Sequence, residues 1–118
     1  MQYYKEIEGA LEVESIVEGS SLVVSLSFPS SFSYFDGHFH DEAILPAFMI
    51  VQVSVDLIER LLKHSLNFLK ISKSKFLKVV RPEELIKITI DYDQKKKIFC
   101  ITWLDQEMNK VALINISQ

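Results

Sequence analysis

Three histidines, one cysteine and a scatter of carboxylates are the side chains of this 118-residue chain whose types could do chemistry. His38 stands in the run Phe35-Asp36-Gly37-His38-Phe39, eight residues before Pro46. Imidazole is the side chain whose ordinary pKa lies nearest neutrality, so a loop histidine can take up and return a proton. Beyond Pro46, Gln52 and Asp56 lie four residues apart in a stretch without Gly or Pro, and on a helix they share a face. A carboxylate can carry a proton; an amide can only hydrogen-bond. Each of these residues also has a plainer reading. His38 can hold a turn, and Gln52 and Asp56 can open a solvated stripe continued by Glu59 and Lys63. His64 falls where a cation caps a helix C-terminus, and Cys100 reads as a small core residue in mid-strand. His38, His40 and Asp36 or Asp41 match no established zinc spacing and have no Cys nearby, so neither a metal nor another cofactor is expected.

The elements that must position these residues follow from hydropathy. Leu11 and Val13 alternate with Glu12 and Glu14, and after the turn signal Glu18-Gly19-Ser20 the residues Leu22, Val24, Leu26 and Phe28 alternate with smaller or polar ones: two strands. Residues 29–42 are irregular and rich in Ser and aromatics. Pro46 suits the first position of a helix, expected from Ala47 to about His64. Phe48, Met49, Ile50, Val51, Val53 and Val55 leave that helix almost no polar face, which predicts burial. Phe68 to Val80 is one or two extended segments ended by Arg81-Pro82. Ile86 to Tyr92, Ile98 to Leu104 (central in the sheet, being apolar on both faces) and Lys110 to Ile116 complete the strands. Two strands, one long buried helix and about four strands make an α+β pattern in one domain, residues 1–118.

Composition excludes several classes. A 48% hydrophobic and 25% charged chain is globular rather than disordered. A lone Cys100 allows no internal disulfide and fits a reducing compartment. The net charge of −3 argues against nucleic acid as a partner. Charges interrupt the start of the chain where a signal peptide needs an apolar core, and Gln52, Asp56, Glu59 and Arg60 interrupt the longest apolar stretch, so a cytoplasmic protein with no membrane partner is expected. The charge is uneven. Residues 1–59 hold ten acids and one base, whereas residues 60–82 hold seven bases and no acid. That basic run is either a solvated face or a landing surface for an acidic partner.

The run Phe35-Asp36-Gly37-His38-Phe39, followed by Ile44-Leu45-Pro46 and the buried helix, resembles the F-x-G-H-F-P-x-x-P-x-x-P-G motif of the hot-dog-fold 3-hydroxyacyl-acyl-carrier-protein dehydratases. The eight-residue spacing from motif His to helix-starting Pro is kept. Lys75 to Pro82 resembles the family's K-F-x-x-P-V-x-P segment, and the order of elements agrees over most of the chain. The resemblance implies an antiparallel sheet wrapped around one central helix, and a homodimer. It implies action on a thioester of acyl carrier protein or coenzyme A. His38 would be the base that takes the C2 proton. Ala47 and Phe48 would offer N–H donors to the thioester carbonyl at the helix N-terminus, with Gly37, Phe39 and Pro46 beside the substrate.

The family's acid stands six residues beyond the helix-starting Pro, where this chain has Gln52; four residues further on, where the family usually has Gln, it has Asp56. Acid and amide look exchanged by one turn. His40, Ala43 and Ala47 replace two motif prolines and the motif Gly. The expected activity is dehydration of a 3-hydroxyacyl thioester with His38 and either Gln52 or Asp56. The alternatives are a thioesterase using Asp56 to aim water, and a non-catalytic subunit that binds acyl groups or the carrier. Lys70, Lys73, Lys75, Lys78 and Arg81 are the expected docking residues for an acidic carrier protein.

Overall fold

The computed structural model describes residues 12–17, 21–30, 32, 44–61 and 70–117. Gly37, His38, Phe39, His40 and His64 therefore lie outside the described residues. The elements run β1 (Glu12–Val17), β2 (Ser21–Ser27), α1 (Ala47–Leu61), β3 (Lys70–Phe76), β4 (Leu85–Asp93), β5 (Ile98–Leu104) and β6 (Lys110–Ser117). The strands form one antiparallel sheet in the order β1-β2-β4-β5-β6-β3.

Period-two patterning sets the faces. Leu22, Val24 and Leu26 of β2, Ile86, Ile88 and Ile90 of β4, Phe99, Ile101 and Trp103 of β5, and Ile114 and Ile116 of β6 all point inward and are buried. Against this face lies α1, buried through Met49, Ile50, Val53, Leu57 and Ile58 and also through Val55. A helix apolar nearly all round is thus covered on most of its circumference. A buried polar clasp fixes it to the sheet: Trp103 Nε1 donates to Ser54 Oγ at 3.0 Å, and that hydroxyl donates to the Ile50 carbonyl at 2.8 Å. The Phe28 ring stacks on Trp103 with centroids 6.2 Å apart and tilts against Phe32.

Three expectations shift. Helical hydrogen bonding starts with Met49 and Ile50 N–H on the Pro46 carbonyl, so Pro46 is the cap residue and Ala47 the first helical one. Cys100 is not a core residue. Its neighbours Phe99 and Ile101 take the inner face, which leaves Cys100 exposed on the outer face opposite Asp91 and Asn115. Asp56 does not belong to the solvated stripe: Glu59 and Arg60 are exposed, Gln52 is half-buried, and Asp56 is 5% exposed.

Two bulges shape one end of the sheet and its edge. Trp103 pairs with Ala112 but Leu104 with Lys110, so Val111 is the extra residue, and both Val111 and Ala112 are buried. The Val111 carbonyl accepts from Leu77 and Lys78 N–H, which ends β3 and turns the chain across the helix entrance. In β3, Ile71 pairs with Ile116 and Lys73 with Asn115, so Ser72 is extra.

Candidate active site

Strand end, helix start and connecting segment meet around one cleft of about 310 Å³, lined by Leu45, Pro46, Ala47 and Ile50 on one side and by Phe76 to Val79 on the other. The two sides are pinned together, because Leu45 N–H donates to the Val80 carbonyl at 2.8 Å. Apart from Lys78, the lining side chains are apolar. Ala47 borders the cleft at the first turn of α1, where backbone N–H groups precede the first intrahelical bond and the helix dipole favours negative charge. The arrangement can hold an apolar chain and polarise one carbonyl oxygen.

The wall of the cleft is held by an ion pair that the sequence does not reveal. Lys78 Nζ is bound to the Asp105 carboxylate in the β5–β6 turn. Asp105 is buried, and its Oδ1 also accepts from Glu107 and Asn109 N–H at 3.0 and 2.9 Å. The Lys78 hydrogen bond, followed by the Asn109 backbone bond, holds the Asp105 carboxyl below its usual value of 3.8, down to about 2. The same hydrogen bond raises the Lys78 ammonium. A depressed carboxylate stabilises the fold above its unfolded value and loses that contribution as pH falls through the folded value. Stability conferred by Asp105 is therefore complete above about pH 4 and is lost towards pH 2. Asp105→Asn should flatten the pH dependence of the denaturation midpoint across that window, as followed by urea titration at successive pH values.

The expected site residues separate in space. Pro46 and Ala47 border the cleft, but the Phe48 side chain turns outward and is 62% exposed. Gln52 and Asp56 are not among the lining residues. Gln52 lies two residues from Ile50, about 160° around the helix axis, so it looks away from the cleft that Ile50 lines. Asp56 Oδ2 is buried and lies 2.8 Å from Arg60 Nε, an ion pair without the alignment of a hydrogen bond. The five expected docking cations also divide. Lys70, Lys73 and Lys75 lie on the exposed edge strand, Lys78 is engaged by Asp105, and Arg81 is exposed in the turn before β4. Among the described residues no three metal-binding side chains cluster, and no helix is long and apolar enough to cross a membrane.

A curved antiparallel sheet closed on one long helix, with a cleft at the helix N-terminus, is the hot-dog fold, as expected. The family model described as ApeI dehydratase matches residues 14–113, and the chain belongs to this ApeI-like family. The dehydratase heterocomplex ApeI:P from Xenorhabdus doucetiae aligns over 90% of this chain and 92% of its own, with 19% identity and a TM-score of 0.80. A hypothetical thioesterase from Streptococcus pneumoniae, solved with coenzyme A, aligns over 98% and 92% with 14% identity and a TM-score of 0.64. The PaaI protein of E. coli, from the phenylacetic acid degradation operon, aligns over 100% and 84% with 14% identity and a TM-score of 0.65. No curated protein matches the sequence.

Proposed function

We propose that the chain acts, as a single domain over residues 1–118, on acyl thioesters, and that its reaction is the elimination of water from a 3-hydroxyacyl thioester carried by acyl carrier protein or coenzyme A. The observation that carries this reading is the apolar cleft opening at the N-terminus of α1, with Ala47 on its rim. An acyl chain fills the cleft, and the thioester oxygen accepts from N–H groups of the first helical turn, which stabilise the enolate as it forms. His38 takes the C2 proton. The electron pair becomes the C2–C3 double bond, the C3–O bond breaks, and the oxygen leaves as water once protonated. The resemblance implies that the polar helix group serving a given cleft comes from a second subunit, and the absence of Gln52 and Asp56 from the lining of their own chain's cleft supports that reading. The all-exposed strand β3 supports such an assembly, since it leaves a sheet edge for another chain.

Asp56 favours a second reading, thioester hydrolysis, because a buried carboxylate can aim a water at a thioester whereas the amide of Gln52 cannot accept its proton. The two reactions part in one experiment. With crotonyl-pantetheine and crotonyl carrier protein as substrates, loss of enoyl absorbance without free thiol reports hydration, the reverse of the elimination. Release of thiol reports hydrolysis. Hydration is the expected outcome; thiol release alone would replace it with the second reading. Neither product would leave an acyl- or carrier-binding subunit.

A further inference from the structure

We infer that Glu83 is a positioning residue, whose carboxylate fixes the start of the segment that carries His38 against the run that continues from the far wall of the cleft. The inference rests on the elimination reading for what His38 does, and on hydrogen bonds outside the cleft for how its segment is held.

The turn that presents Glu83 has an unfavourable residue for its shape. Glu84 N–H donates to the Arg81 carbonyl at 3.3 Å, Pro82 takes the second position, and Glu83 in the third has a φ of 64°. Pro second and a positive φ third make a type II turn, whose third position favours Gly, with Asn next. In any other residue this conformation crowds the Cβ against a backbone carbonyl. Strain of this kind persists where the surroundings enforce it, and it gathers at positions where the conformation has a use. The turn's own side-chain bond comes from Glu84, whose Oε1 accepts from Arg81 N–H at 3.1 Å.

The Glu83 side chain is used elsewhere. Its Oε2 accepts from Ser30 N–H at 2.7 Å and from Ser30 Oγ at 3.2 Å, across 53 positions of sequence. Its backbone N–H donates to the Phe28 carbonyl at 2.7 Å. The stretch it grips is itself fixed. Phe28 and Phe32 are fully buried with ring centroids 5.2 Å apart, and Phe32 N–H donates to the Pro29 carbonyl at 2.9 Å. Ser30 and Glu83 are both exposed, so water competes for these bonds and their net contribution to global stability is small. What such a clasp supplies is geometry.

Its place in the chain says which geometry. Residues 76–79 line the cleft, the Val80 carbonyl then accepts from Leu45 N–H, and Glu83 follows three residues later. His38 lies eight residues after Ser30 and seven before Leu45. Both ends of the segment that carries it are therefore tied to residues 80–83, the direct continuation of the cleft's wall. Proton transfer at C2 tolerates little displacement of base from substrate. Ties at both ends limit that displacement and place no further group inside the cleft. With the Ser30 tie removed, the cleft keeps its lining while the base loses one of its two anchors.

The test compares the full chain with Glu83→Gly and Glu83→Gln in hydration of crotonyl-pantetheine. Glu83→Gly removes the carboxylate and relieves the backbone together, so its thermal midpoint should stay within a few degrees of wild type. Its kcat should fall about 10–10²-fold, as for a slightly misplaced reacting group, with KM within about twofold because the cleft is untouched. Glu83→Gln keeps an oxygen acceptor for Ser30 and should hold kcat within about threefold of wild type, a neutral bond being roughly half as strong as a charged one. A reading independent of turnover comes from nuclear magnetic resonance. The His38 imidazole signals, identified by their absence in His38→Ala, should shift in Glu83→Gly and return in Glu83→Gln, while the Trp103 indole N–H, held by Ser54 in the core, stays in place. An unchanged kcat in an active Glu83→Gly would overturn the inference. So would a loss of kcat accompanied by a fallen midpoint and a moved Trp103 signal, which would make Glu83 a support of the fold. A wild type that does not hydrate the thioester removes the elimination reading, and the imidazole signals then decide alone: shifted signals uphold the tie and unmoved ones overturn it.

Discussion

His38→Ala should lower hydration of a crotonyl thioester by about 10²–10⁴-fold, the range a positioned general base supplies, while leaving the thermal midpoint and circular dichroism unchanged. The expectation rests on His38 standing eight residues before Pro46, with the cleft opening where Pro46 and Ala47 start the helix. Deprotonation at C2 is slow without a base in hydrogen-bond reach. Neither Gln52 nor Asp56 borders the cleft of its own chain, so no other titratable group on α1 can take over from within the subunit. Binding should survive. An uncleavable acyl-pantetheine should bind the variant within a few-fold of wild type, because the cleft and the Ala47 donor are untouched. Loss of rate with binding retained identifies the proton-transfer role. An unchanged rate would return His38 to holding a turn and would remove the elimination chemistry as proposed. Thiol release gives a further separation, since a hydrolase built on Asp56 should keep most of its rate without this imidazole.

What the sequence discloses of this fold is what local period discloses. Ile86, Ile88 and Ile90 alternate with polar residues and can face only one way, and the same holds for Leu22, Val24 and Leu26. The helix was legible through its length and its lack of Gly or Pro, despite β-branched residues that prefer strands. Where a strand is apolar on both faces the period carries no phase, and so the sequence alone points Cys100 to the core although it is exposed. Only the pairing of Phe99 with Ile116 and of Ile101 with Ile114 settles the matter.

The features that bear most on function are pairing events, and these leave weak marks in a sequence. The bulge at Ser72 converts three lysines of mixed phase into one row, and nothing in KISKSKF signals the extra residue. Lys78 and Asp105 are 27 positions apart, so their union depends on the Val111 bulge that turns the chain after β3. Asp56 sits at stripe spacing with Gln52 and Glu59, and helical spacing alone does not tell a buried member from a solvated one. The motif around His38 was legible as a resemblance, and its histidine lies outside the described residues.

The second large effect is expected at the Gln52–Asp56 pair. Leaving-group departure needs a proton in a pocket from which water is largely excluded, and an amide has none to give. Asp56 is the carboxylate one turn further on the same helix, buried and ion-paired with Arg60 at 2.8 Å. Asp56→Asn keeps the shape and removes the acid, so it should cost about 10²-fold in hydration rate. Arg60→Ala removes the ion pair without touching the carboxylate. Loss of Arg60 leaves the buried carboxylate without its ion-pair partner and should lower the thermal midpoint, while the rate of the folded protein stays within a few-fold of wild type. This contrast separates a carboxylate that acts from one that only anchors an arginine. Gln52→Glu restores an acid at the half-buried position six residues beyond Pro46 and should raise the rate. In combination with Asp56→Asn it should recover activity that Asp56→Asn alone lacks. Recovery in the double variant cannot come from packing, because both substitutions are nearly isosteric. It requires that the two positions deliver a proton to the same leaving oxygen. A wild type indifferent to all three changes would refute the exchanged pair and leave His38, protonated in the first step, to return its proton to the departing oxygen.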